Sequence, residues 1–147
     1  MNQRRFFIAV MTAIGLNPWS SSAANPKEAQ QAMNKIIGKQ AVQNGRIYFE
    51  LPPLIENGNL VSVKVAVQSP MTVNDYVKAI HIIAEANPLP NVVSCFFSPL
   101  SGKAEVSTRI RLADSQKVWV LAQMSNGEFW QTSADTIVTL SACTEMP

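Results

Sequence analysis

Strict alternation is the clearest pattern in the chain. Val61, Val63, Val65 and Val67 alternate with Ser62, Lys64, Ala66 and Gln68. A period of two puts one row of side chains against a core and the other in water, as in a half-buried strand. The same period returns where Ala104, Val106, Thr108, Ile110 and Leu112 alternate with Lys103, Glu105, Ser107, Arg109 and Arg111. Shorter apolar runs predict strands at 46–51, 92–97, 116–124, 129–130 and 136–142. Pro52-Pro53 closes the first of these, because neither residue can donate to a ladder. Asn57-Gly58 reads as a tight turn ahead of the valine strand, and Ser125-Asn126-Gly127-Glu128 as a hairpin turn.

Two segments have helical spacing instead. In residues 25–43, Ala29, Met33, Ile36 and Ile37 fall on one side, Pro26 suits a first turn, and Asn44-Gly45 ends the segment. In residues 72–86, Thr72 is a candidate N-cap with Asp75 three positions on. Val77, Ile80 and Ala84 line one face beside Ile83, and Asn87-Pro88 stops the run. The prediction is a mainly β chain of about seven strands, with one inserted helix and an N-terminal helix. Helices do not alternate with strands, so a β-sandwich is expected rather than an α/β sheet.

The start of the chain carries a different signal. Arg4-Arg5 precedes an apolar run from Phe6 to Leu16, broken only by Thr12, and Pro18 with the small residues up to Ala24 follows. That run is too short to span a bilayer and matches a secretory signal of the twin-arginine type, cleaved after Ala23 or Ala24. Export to the bacterial periplasm is the expected destination. Four segments result: a signal at 1–24, a helical stretch at 25–44, the sandwich at 45–140 and an arm at 141–147. Hydrophobic residues make up 47% of the 147, ordinary for one packed domain. A net charge of +2 with no basic cluster argues against a nucleic-acid partner.

Few side chains in the sequence can do chemistry. One histidine and two cysteines without a Cys-x-x-Cys pair cannot build a zinc cluster, and no glycine-rich phosphate loop or nucleophile elbow occurs. No cofactor or metal is expected. His81 reads as a structural or surface histidine without an evident partner. Arg109 and Arg111 read as a solvated strand face, and Trp119 and Trp130 as packing residues. Cys95, inside Val92-Val93-Ser94-Cys95-Phe96-Phe97, reads as a small buried hydrophobe. Cys143 directly follows the last predicted strand and precedes only Thr144-Glu145-Met146-Pro147. A thiol there can reach another protein while its own domain stays outside. Glu145 and the terminal carboxylate disfavour its thiolate, so activation is expected from a partner. An internal disulfide with Cys95 and an intermolecular disulfide are the alternatives that the residues leave open.

Several stretches together resemble the SoxY family, the sulfur-carrying subunits of the thiosulfate-oxidising Sox system. They are Pro53-Leu54-Ile55-Glu56-Asn57-Gly58, Ser69-Pro70-Met71-Thr72, Asp75-Tyr76-Val77-Lys78 and Ala86-Asn87-Pro88-Leu89-Pro90. Ser107-Thr108-Arg109-Ile110-Arg111-Leu112-Ala113, Met124-Ser125-Asn126-Gly127 and the final strand ending at Cys143 complete the set. The resemblance implies an immunoglobulin-like sandwich that pairs with a small β subunit, SoxZ. It also implies a non-catalytic carrier whose Cys143 is loaded and processed by separate sulfur-oxidation enzymes. The family tail is typically Gly-Gly-Cys-Gly-Gly, whereas this chain has Ser141-Ala142-Cys143-Thr144. An arm built from Ser141, Ala142 and the β-branched Thr144 is expected to be stiffer than a glycine arm. A non-carrier accessory, docking a different periplasmic oxidoreductase system, is the competing reading.

Overall fold

A computed structural model describes residues 26–142. Residues 1–25, among them the signal expected at 1–24, and the residues from Cys143 onward lie outside the described residues. Helix α1 runs Pro26–Ile37 and stops at Gly38, whose φ of 66° suits a left-handed C-terminal cap. Gly38 donates its N–H to Asn34 O at 2.9 Å. Where the sequence pattern extended this helix to residue 43, the chain instead forms a short strand, β1, at Val42–Asn44.

The remaining strands are β2 (Ile47–Glu50), β3 (Leu54–Ile55), β4 (Val61–Val67) and β5 (Val77–Ala84). They are followed by β6 (Asn91–Phe96), β7 (Ala104–Ile110), β8 (Gln116–Met124) and β9 (Phe129–Val138). A larger sheet has the order β1-β9-β8-β5-β6, with β3 also pairing in parallel with β9. A smaller sheet has the order β2-β4-β7 and is antiparallel throughout. The strands predicted separately at 129–130 and 136–142 are one ten-residue strand, which ends at Val138.

The two sheets face each other across one core. From β4 come Val61, Val63, Val65 and Val67, at most 7% exposed, as the alternation requires. From the larger sheet come Ile80, Ile82 and Ala84 of β5, and Val118, Val120, Ala122 and Met124 of β8. Burying a side chain of Val or Ile size stabilises the fold by about 1.5–3 kcal/mol, so these rows are the main reason the sheets stack. On the opposite face of the larger sheet, Ala29 and Met33 of α1 pack on Ile83 and Leu121.

The helix expected at residues 72–86 is not formed; that segment supplies β5, between β8 and β6 in the larger sheet. Its capping signal closes a turn instead. Thr72 and Asp75 bond reciprocally, Thr72 N–H to Asp75 O at 2.9 Å and Asp75 N–H to Thr72 Oγ1 at 3.2 Å. The spacing misleads because β5 is covered on both faces, by the core and by α1. Seven of its eight residues are buried, so the alternation that marks a one-sided strand disappears.

Candidate functional site

The last strand, β9, delivers the segment that leads to Cys143. Backbone bonds knit that segment to three loops. Ile137 N–H donates to Pro53 O and Thr139 N–H to Ile55 O, both at 2.9 Å. Ser115 Oγ accepts from Val138 N–H at 2.9 Å, and Thr136 Oγ1 donates to Pro52 O at 2.7 Å. Farther along, Leu140 O accepts from Gly58 N–H at 2.8 Å, and Ala142 N–H donates to Leu112 O at 3.1 Å. Leu112 N–H in turn donates to Gly58 O at 2.8 Å.

A side-chain network holds the Leu112 loop in place. Asn87 Nδ2 donates to Arg111 O at 2.8 Å, and Asn87 Oδ1 accepts from Ala113 N–H at 3.0 Å and from Gln116 Nε2 at 3.2 Å. Gln116, itself buried, also accepts from Ala86 N–H at 2.8 Å and donates to Asp114 O at 2.9 Å. The loop before β4, the turn after β5, the β7–β8 loop and the end of β9 therefore meet at one end of the sandwich.

The residues singled out from the sequence are not brought together. Cys143 and Thr144 lie outside the described residues. Ser141 is exposed, but Ala142 is 6% exposed and hydrogen-bonded to Leu112, so the chain is held up to Ala142 rather than freed at residue 141. Cys95 is free and only half-buried, on the edge strand β6 opposite Ile80 of β5. Its exposure is greater than its apolar neighbours in sequence suggested, because β6 is the sheet's last strand.

His81 has a partner, contrary to expectation: its Nδ1 lies 2.8 Å from Ser94 Oγ on the adjacent strand. Phe96 meets its ring edge-on at 6.1 Å. Burial lowers the His81 pKa from its ordinary 6.5 by penalising the charged ring, so it is neutral at pH 7. Arg109 faces solvent on the outer side of the smaller sheet, in a shallow groove of about 710 Å³ with Glu50, Ser62, Lys64 and Ser107. Arg111 is exposed. Trp119 donates to Glu85 Oε1 at 2.7 Å, and Trp130 lies under the Arg46 guanidinium at 4.8 Å. Among the described residues no group of three or more His, Cys, Asp or Glu is placed to hold a metal ion.

A family model for the sulfur oxidation protein SoxY matches residues 33–143, which takes in the whole sandwich and reaches Cys143. The chain belongs to the SoxY family. Among solved structures it is similar to the sulfur carrier protein SoxY from Chlorobium limicola f thiosulfatophilum, with a TM-score of 0.65 and 29% identity. That alignment covers 78% of this chain and 98% of the Chlorobium chain. A superoxide reductase (neelaredoxin) from Ignicoccus hospitalis shares the fold, with a TM-score of 0.56, 16% identity, and coverage of 83% of this chain and 99% of that one. A search of curated proteins finds no match.

Four of the seven stretches that carried the SoxY resemblance fall on the junction just described. Pro53 to Gly58, Ala86-Asn87, Arg111 to Ala113 and the end of β9 are the segments that bond to one another there. Sequence reasoning singled out Cys143 and missed this scaffold. Asn87 reads locally as a helix stop and Gly58 as a turn residue; both also lie in stretches of the SoxY resemblance, but neither signal tells what they touch. Gln116, Ser115 and Thr136 carried no local signal, since a polar residue on a strand or loop is ordinarily solvated.

Proposed function

We propose that this SoxY-family chain is a periplasmic sulfur carrier that covalently holds thiosulfate-derived groups on Cys143 and presents them to partner enzymes. The observation that carries the reading is the SoxY match through residue 143, ending on a cysteine whose preceding residue is held at one end of the sandwich. The similarity to the Chlorobium sulfur carrier protein supports it. A sandwich-end cysteine lets a partner enclose the thiol without enclosing the domain.

The carrier step follows from thiol chemistry. Bonding Cys143 Sγ to the outer sulfur of thiosulfate releases the thiol proton and two electrons, so the loading partner must provide an electron acceptor. Hydrolysis of the sulfonate end then consumes water, releases sulfate and two protons, and leaves a persulfide anion on Cys143. This chain supplies the anchor, and the enzymes that load and process it supply catalysis. A SoxZ-like β subunit is the expected heterodimer partner, and the Arg4-Arg5 signal the route of export.

Intact-mass spectrometry of the chain from thiosulfate-oxidising cells tests this. Sulfur-containing adducts should appear, vanish on reduction and be absent in Cys143→Ser. An unmodified mass during active thiosulfate oxidation would remove the carrier reading. The second reading, a non-carrier subunit docking another periplasmic oxidoreductase, draws on the replacement of glycines by Ser141, Ala142 and Thr144. It requires Cys143→Ala to keep full function.

A further inference from the structure

We infer that Gly58 is a positioning residue for Cys143: it lets three backbone segments cross so closely that the chain is clamped at Ala142, leaving the carrier cysteine on a tether of one residue. The inference deepens the carrier reading and rests on it for its functional meaning.

The three segments form a closed chain of backbone hydrogen bonds. Gly58 N–H donates to Leu140 O at 2.8 Å, Leu112 N–H donates to Gly58 O at 2.8 Å, and Ala142 N–H donates to Leu112 O at 3.1 Å. Gly58 is buried at the crossing. A Cβ there would overlap the Leu112 carbonyl oxygen and stand 3.0 Å from both Ala142 N and Val138 Cγ1. Leu112 O and Ala142 N are main-chain atoms and cannot rotate aside. Gly58 is not among the glycines with positive φ, so the requirement is for space, not for a left-handed backbone.

The clamp sets how far the thiol can travel. Consecutive Cα atoms are ~3.8 Å apart, so Cys143 is one such step from a held residue. Without the clamp the tether would start after Thr139, which Ile55 O still holds, four residues from Cys143, with a reach of up to ~14 Å at ~3.4 Å per residue. A carrier with the short tether must have its partner seat against this end of the sandwich. Backbone freedom at residues 141 and 142 then has little use, in keeping with Ser141 and Ala142, neither of them a glycine.

Dipolar electron spin resonance on the full chain tests the clamp. In a Cys95→Ser background, one nitroxide is placed on Cys143 and another on Ser62→Cys, an exposed position of β4. The parent should give one narrow distance distribution. Gly58→Ala should broaden it severalfold, in line with the change in reach. Should Gly58→Ala fail to fold, Ala142→Pro removes the Ala142 N–H without adding bulk at Gly58, and should broaden the distribution as well. Hydrogen exchange at Val65 reports whether the core is intact in each variant. A parent distribution already as broad as that of the released variants would overturn the clamp, as would widths unchanged in both variants with the core protected. Absence of sulfur adducts with a narrow parent distribution would remove the carrier role and leave the clamp standing.

Discussion

His81 Nδ1 and Ser94 Oγ lie 2.8 Å apart across the β5–β6 pair, the histidine 8% exposed and the serine exposed at the sheet edge. Ser94 is tied in turn to Asn91, whose Nδ2 donates to Ser94 Oγ at 3.1 Å. Burial lowers the His81 pKa, so the folded state binds a proton there less readily than the unfolded chain does. Stability then rises with pH wherever the unfolded state holds more protons. The contribution is complete above the unfolded value near 6.5 and declines as pH falls below it. Urea unfolding at pH 7.5 and 5.5 should show a drop in midpoint that is smaller in His81→Gln. An equal drop in both proteins would assign the pH dependence to other groups.

Replacing Ile82 by Ala should cost about 2–5 kcal/mol of stability, as for other fully buried large-to-small changes. Ile82 is 0% exposed on the core face of β5. Ile137, 61% exposed on β9, is the control: Ile137→Ala should stay within about 0.5 kcal/mol. Chemical denaturation of both variants checks the pair.

Asn87→Ala should destabilise the chain by about 0.5–1.5 kcal/mol, the net worth of an ordinary hydrogen bond, because the half-buried Ala113 N–H loses its acceptor. Its signature is local. Amide exchange should accelerate most at Ala113, which donates to Asn87 Oδ1, and at neighbouring Leu112, whose loop Asn87 holds. Uniform acceleration across the core would argue against a scaffold role confined to this junction.

Cys95→Ser should leave the sulfur adduct on the chain unchanged, whereas Cys143→Ser should abolish it. Cys95 is half-buried in β6, so an alkylating reagent should modify it more slowly in the folded chain than in urea. Peptide mapping after timed alkylation reads both rates. An adduct recovered on Cys95 would place the carrier sulfur elsewhere than proposed.

Local pattern sufficed where burial is one-sided. β4 and β7 were legible because each has a core row and a wet row, and a period of two survives in the residues themselves. β6 and β8 were legible from β-rich runs between turn signals. The early helix was legible from Ala29 and Met33; its end was legible too, since Gly38 is the residue type that caps a helix with a positive φ, but the pattern reading carried past it to Asn44-Gly45. The SoxY family was also readable, since its stretches are spread along the chain in a specific order.

The sequence by itself thus determined a mainly β chain, its two-sheet stacking and its family, all of which depend on local spacing or ordered motifs. Only the tertiary structure decided that residues 77–84 are a strand, because covering a strand from both sides erases the alternation that would announce it. Only the tertiary structure, too, brought Gly58, Leu112 and Ala142 together. Contacts among residues 54 and 30 positions apart are made by backbone atoms, which every residue carries, so no side-chain pattern records them.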